Sequence, residues 1–70
     1  MKTKLLLNKI KTLRQRGDIK KLSAILNMNE STVSRIINNK QFMRLEVFLK
    51  LQKFYNKRQS EILQTIEDNN

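Results

Sequence analysis

The feature that most restricts the fold is a near absence of turn-forming residues, since the 70 residues include no proline and a single glycine, Gly17. A multi-stranded β fold needs frequent turns, and glycine and proline are the residues that usually make them. Apolar residues instead recur at helical spacing, as Leu6, Ile10 and Leu13 do at i, i+4 and i+7. The sequence therefore predicts one all-α domain over residues 1–70, because so short a chain has room for a single core.

Start and stop signals divide the first part of the chain into two helices. The first is expected from about Lys4 to Arg16, with Gly17 as the left-handed residue that ends it. Asp18 is expected to cap the second helix, its carboxylate accepting from free amides of the following turn. This second helix should end near Leu26.

A short connection with its own stop and start signals follows. Asn27 is expected to adopt a positive φ, which asparagine tolerates better than most residues, and Asn29 is a suitable N-cap. Met28 and Val33 stand at the positions of a hydrophobic staple around that cap. A third helix is predicted from Glu30 to Ile37 or Asn38.

A fourth helix, about residues 44–55, is apolar on two sides and therefore needs two partners. We expect it to end before Asn56, which would cap a fifth helix over about residues 57–68 with Gln59 at the capping-box position. The fifth helix would supply the second partner through Ile62, Leu63 and Ile66.

The charge of the chain makes a polyanion its leading partner. Fifteen lysines and arginines against six acids give a net charge of +9. Residues 1–58 hold every cation and three acids, hence +12, whereas residues 59–70 hold three acids and no cation, hence −3. Nucleic acid is the first expectation and an anionic membrane surface the second. Capped short helices favour a globule over a membrane-surface peptide, so no membrane partner is expected.

Several classes of function are excluded by missing residues. The chain has no cysteine and no histidine, so it can form neither a disulfide framework, nor a common zinc site, nor a thiol or imidazole active site. We therefore expect no enzyme, no metal, no cofactor and no small-molecule ligand. Its longest apolar run, Leu5 to Leu7, is too short for a signal peptide or a membrane span.

Residues 18–37 resemble the signature of a helix-turn-helix. Ser23 is the small residue where the two helices touch, Asn27 the turn residue, and Val33 and Ile36 the contacts of the second helix. With a helix before the motif and an amphipathic one after it, residues 5–55 resemble the phage-repressor/Cro-like (XRE) family. The family commonly has Ala at Ser23 and Gly at Asn27 and Asn39, and the present residues meet the same steric needs.

This resemblance implies a compact five-helix bundle of the Cro/lambda-repressor-like type, with a central helix-turn-helix at about 18–38. It further implies a sequence-specific regulator of transcription in the cytoplasm of a bacterial or phage-infected cell. Such a protein is expected to bind a palindromic operator in double-stranded DNA as a homodimer, to act as a repressor, and to place helix 30–38 in the major groove. No additional ligand-binding or cleavable domain is expected.

The same resemblance assigns residues to the DNA. The expected base contacts are Glu30, Ser31, Thr32, Ser34 and Arg35, and the expected backbone contacts are Lys20, Lys21, Asn29, Asn38, Lys40 and Arg44. Two alternatives stay open: Glu30 could serve only the helix dipole, and Arg35 could hold a phosphate in place of a guanine. The cations of the first helix are expected to contribute to the long-range electrostatic attraction of DNA more than to direct contacts with it.

The last helix has two possible roles. It could form a dimer interface from Leu51, Phe54, Ile62, Leu63 and Ile66, or it could only complete the monomer core. The acidic character of residues 59–70 also allows a different class of function. In that alternative the chain is an antitoxin-type or other protein-binding helical module whose helix-turn-helix regulates its own operon.

Overall fold

Four α-helices and no strand make up residues 3–68, the part of the backbone that the computed structural model describes; side chains are described for residues 3–65. The helices are α1 (Thr3–Leu13), α2 (Asp18–Leu26), α3 (Glu30–Ile37) and α4 (Leu45–Asp68). α4 packs against α1 and α2, and α2 packs against α3. The result is a compact all-α domain with principal extents of 41 × 24 × 17 Å.

One apolar core holds the four helices together. Its most deeply buried members are Leu22, Val33, Leu51 and Tyr55, one or more from each of α2, α3 and α4, with Ile10 from α1 beside them. Leu6, Leu26, Ile36, Ile37, Met43, Val47 and Phe48 complete it. Each helix therefore buries one face, as the apolar spacing predicts.

The predicted connection between α2 and α3 is confirmed. α2 ends at Leu26, Asn27 has a φ of 54°, and Asn29 is the N-cap of α3. The cap acts through backbone conformation, because the side chain of Asn29 makes no capping hydrogen bond. α3 ends at Ile37 and Asn38 follows it.

The role predicted for Asp18 is wrong. Gly17, with a φ of 90°, is the N-cap of α2, and Asp18 lies inside its first turn. The Asp18 carboxylate turns back to the core and is only 1% exposed. Its Oδ2 accepts from the Gln15 amide at 2.9 Å, from the Tyr55 hydroxyl at 2.9 Å and from Arg58.

This network also explains why α1 ends at Leu13 and not at Arg16. The Gln15 amide donates to Asp18, so it is not available to continue the helix. Arg58 donates to the terminal Leu13 carbonyl at 3.4 Å, which satisfies one of the open acceptors of the helix end. Gly17 has the expected positive φ, but it is the N-cap of α2 and does not end α1.

The predicted break at Asn56 is also wrong, so the described chain has four helices where five were expected. α4 runs without interruption from Leu45 to Asp68. Tyr55 and Arg58 lie one turn apart and both reach Asp18, and a break between them would separate the two donors. Asn56 stays in the helix at a propensity cost of about 0.7 kcal/mol at most, and its Oδ1 accepts from Lys9.

A continuous α4 removes the second partner that was expected for this helix. Ile62 and Leu63 belong to the same continuous helix as Leu51, so they cannot fold back and pack against Leu51. On the two apolar sides of this helix, Leu45 and Leu49 are exposed, whereas Val47, Phe48 and Leu51 are buried. Residues 59–68 extend beyond the core by about 15 Å.

The Asp18 network sets the direction of two pKa shifts. Burial by itself raises the pKa of Asp18, but hydrogen bonds from Arg58, Gln15 and Tyr55 and the Arg58 charge outweigh it, so the pKa is lowered. Burial, with the hydrogen bond and charge of Asp18, raises the pKa of Tyr55 well above its usual range. Asp18 is therefore ionised and Tyr55 protonated at neutral pH.

We predict that acid removes the stability contributed by Asp18. A carboxyl whose pKa is lowered on folding contributes its full stabilisation when the pH is above its pKa in the unfolded state, about 4. This contribution is lost as the pH falls toward its pKa in the folded state. At pH 7, Asp18→Asn should reduce the free energy of unfolding by about 3 kcal/mol, since it leaves Arg58, whose side chain is 12% exposed, without its partner.

Urea unfolding between pH 7 and pH 2 provides the measurement. The stability difference between wild type and Asp18→Asn should shrink as the pH falls. Tyr55→Phe, which keeps the ion pair but removes one hydrogen bond that lowers the pKa of Asp18, should cost about 2 kcal/mol and show a weaker acid dependence than wild type. Parallel profiles for wild type and Asp18→Asn would contradict this account.

A proline at position 57 should test whether α4 is continuous. Residue 57 would be the first position of a separate helix capped by Asn56, where proline is well tolerated. Inside a continuous helix it removes a backbone hydrogen bond and clashes with the preceding turn. Lys57→Pro should therefore cost about 3 kcal/mol or more. Lys57→Ala is the control and should stay within about 0.5 kcal/mol of wild type in the same denaturation experiment.

Candidate nucleic-acid interface

The polar side chains of α3 form a continuous surface, which we call the α3 polar face: Glu30, Ser31, Thr32, Ser34 and Arg35. Glu30, Ser31 and Arg35 are exposed, whereas Thr32 and Ser34 are half-buried. The opposite side of the helix is fully engaged, since Val33, Ile36 and Ile37 are core residues. All five residues that were expected to contact bases thus lie on one side of α3, three of them exposed and two half-buried.

The turn before α3 is fixed by Ser23. The amides of Asn27 and Met28 both donate to the Ser23 carbonyl, the second at 3.1 Å. The Ser23 hydroxyl in turn donates to the Met28 carbonyl. Serine therefore does more than provide a small side chain at the helix crossing, because it closes the turn with its own hydrogen bond.

The end of α3 is closed by a Schellman motif. Asn39 has a φ of 60°, its amide donates to Ile36, and the Lys40 amide donates to Arg35 at 2.8 Å. Asn38 folds over the helix end and donates from Nδ2 to the Ser34 carbonyl at 2.8 Å and to the Ser34 hydroxyl at 3.3 Å. The loop that was expected to contact the DNA backbone is thereby held against the C-terminal end of the α3 polar face.

Arg35 is anchored at one end of its guanidinium. Nε donates to Oε1 of Gln41 at 3.1 Å, and Nη2 lies 3.4 Å from Oγ1 of Thr32. Sequence reasoning missed Gln41, since it lies six residues after Arg35 and outside the helix. The one sequence signal for this proximity is Asn39, whose left-handed conformation turns the chain back.

Exposed cations lie on the elements that precede and follow α3 in the chain. Lys20 and Lys21 are exposed on the first turn of α2, and Lys40 and Arg44 are exposed in the segment between α3 and α4. The ion pairs among the described residues are Arg58–Asp18 and Lys50–Glu46, and neither uses these four cations. Asn29 is also exposed at the start of α3. The surface can therefore attract a polyanion without first breaking internal ion pairs.

A second basic surface lies beside the end of α3. Lys4 and Lys11 of α1, and Arg14 directly after it, line a groove together with Asn38 and Asn39. The sequence favoured long-range field over contacts for the cations of α1. The structure brings these three within reach of the same loop that carries Asn38.

The residues named for a dimer interface occupy different environments. Leu51 is fully buried in the protomer core and Phe54 is half-buried. Ile62 and Leu63 are exposed on the part of α4 that extends past the core, and the side chain of Ile66 lies outside the described ones. Ile62 and Leu63 therefore do not complete the monomer core.

Among the described side chains, those of residues 3–65, no three histidine, cysteine, aspartate or glutamate groups gather as a metal site would require. Nor does any described helix combine the length and the apolarity of a membrane span.

No protein-family model, no curated protein and no solved structure matches this chain.

Proposed function

We propose that this chain is a sequence-specific, double-stranded DNA-binding regulator of transcription, which represses by occluding a promoter. We infer a Cro/lambda-repressor-like arrangement in which the expected fourth and fifth helices are one. α3 enters the major groove, and two copies bind the two halves of a palindromic operator.

The observation that carries this proposal is the solvent-facing α3 polar face, with an exposed Arg35 at its C-terminal end. A major groove admits one α-helix, and an exposed helix face rich in hydroxyls with one arginine suits base edges. Arg35 would bind guanine, Ser31 and Ser34 would contact bases, and Glu30 would accept from cytosine. Thr32 is expected to contact the DNA next to Arg35.

The exposed cations before and after α3 would hold the DNA backbone. Lys20, Lys21, Lys40 and Arg44 are exposed and unpaired with acids among the described residues, so their charge is available to phosphates. Asn29 adds a neutral donor at the start of α3, and Asn38 would contact the backbone at its other end by exchanging a hydrogen bond to Ser34 for one to a phosphate. These contacts give affinity and register but no sequence information.

Arg35→Ala should abolish most of the preference for a selected sequence. Selection from a random duplex library would give the operator, and fluorescence anisotropy would compare it with a scrambled duplex at several salt concentrations. Loss of a two-hydrogen-bond contact to guanine costs about 1–3 kcal/mol on the selected site, and much less on the scrambled one.

Lys53→Ala is the matched control, because Lys53 is an exposed cation of α4 outside the proposed interface. It should weaken binding to both duplexes slightly and equally. Equal affinity of the wild type for selected and scrambled duplexes at physiological salt would refute sequence-specific recognition.

The extended end of α4 supports self-association and also favours one alternative. Ile62 is 37% and Leu63 is 54% exposed, and neither belongs to the core of the described protomer. A homodimer would cover both side chains. The alternative is a protein-binding module of the antitoxin type, in which a different protein covers them and the α3 polar face regulates the operon.

Leu63→Ser should separate these cases, with Leu49→Ser as control because Leu49 is 53% exposed on the same helix. For a homodimer, sedimentation should show that Leu63→Ser shifts the mass toward one protomer and weakens operator binding, while Leu49→Ser does neither. A monomeric wild type, both free and on the operator, would contradict the dimer. Its co-purification with a second protein, lost in Leu63→Ser, would favour the alternative.

A further inference from the structure

Gln41 is the one residue outside α3 whose described side chain hydrogen-bonds to Arg35. Its Oε1 accepts from Nε of Arg35 at 3.1 Å, and the Thr32 hydroxyl oxygen lies 3.4 Å from Nη2 of the same group. Gln41 and Arg35 are both exposed, so their contact is not a product of core packing.

The backbone explains how Gln41 reaches Arg35. Asn39 takes a left-handed conformation, and the Lys40 amide donates to the Arg35 carbonyl at 2.8 Å. Gln41 follows directly, so its position is tied to the residue whose side chain it contacts. An exposed arginine would otherwise sample many rotamers.

These contacts determine which donors of Arg35 remain open. A guanidinium carries five N–H donors in a rigid fork. Gln41 occupies Nε and Thr32 faces one hydrogen of Nη2, so the open donors are the two of Nη1 and the other of Nη2. Arg35 can therefore approach a guanine end-on, with Nη1 and Nη2 toward O6 and N7, but not side-on through Nε.

We propose that Gln41 is a positioning residue that fixes this end-on orientation and so sets the preference of the chain for guanine; this rests on the DNA-binding function proposed above. Gln41 pre-orders Arg35 before binding, which reduces the conformational entropy lost on contact. Thr32 shares this role, because its hydroxyl oxygen already faces the guanidinium.

The first test needs no DNA. In ¹⁵N NMR spectra of the free protein, the Arg35 Nε–H signal should exchange slowly with water in the wild type. Exchange should accelerate at least severalfold in Gln41→Ala and stay slow in Gln41→Glu, which keeps an acceptor. Equal exchange in wild type and Gln41→Ala would overturn the contact, whatever the function of the chain.

The second test compares the selected operator with a copy that carries 7-deazaguanine, which lacks N7, at the position that Arg35 reads. Gln41→Ala should reduce the discrimination between the two DNAs by about three- to tenfold. When it is added to Arg35→Ala, it should not change the discrimination further. Gln41→Glu should restore the discrimination while weakening binding to both DNAs, since it adds a negative charge.

Lys40→Ala is the control for a simple contact to the DNA backbone, and it should weaken binding to both DNAs equally. The same equal loss in Gln41→Ala, or an undiminished effect of Gln41→Ala in Arg35→Ala, would overturn the positioning role. Failure of the wild type to prefer any sequence would instead overturn the proposed function, and with it the guanine preference. The NMR result would still decide whether Gln41 holds Arg35.

Discussion

The buried carboxylate of Asp18 is the interaction on which the arrangement of the helices depends. One oxygen, Oδ2, accepts from Gln15 after α1, from Tyr55 and from Arg58, so it joins the end of α1 and the start of α2 to the middle of α4. The ion pair is sheltered from solvent, which makes removal of one partner far more costly than loss of a surface pair. α3 takes no part in this network. It is held by its apolar side alone, and its polar side remains open.

Local signals in the sequence were sufficient for the region around α3. Asn27, Asn29 and the spacing of Val33, Ile36 and Ile37 define the turn, the cap and the buried side, and each acts within a few residues. They were not sufficient for Asp18, because an aspartate after a glycine has the same local pattern whether it caps its own helix or binds an arginine 40 positions away. Asn56 was misread for the same reason. Its place inside α4 is decided by the long-range bonds of its neighbours.

In the candidate site, too, some features follow from local sequence signals and others do not. Helical periodicity alone predicts that Glu30, Ser31 and Arg35 lie opposite the core side of α3, and the structure confirms their exposure. Periodicity cannot predict Gln41, whose approach to Arg35 depends on the backbone conformation of Asn39. By contrast, Ser34 and Asn38 stand at i and i+4, a spacing that helical periodicity does bring together. Single exposed side chains are readable from sequence, but pairs that meet across a turn are not.

The separation between the stabilising network and the α3 polar face has a consequence for how the proposed DNA-binding specificity could change. Glu30, Ser31 and Arg35 are exposed and make none of the core contacts, so their replacement should leave the fold nearly unaffected. Thr32, Ser34 and Gln41 are constrained more, because each accepts a hydrogen bond from a neighbour on the same surface. On the proposed function, a change of the base recognised at Arg35 would need accompanying changes at Thr32 and Gln41, whereas Ser31 and Glu30 could vary independently. On that proposal, sequence preference depends on side-chain order on the surface and not on the stability of the core.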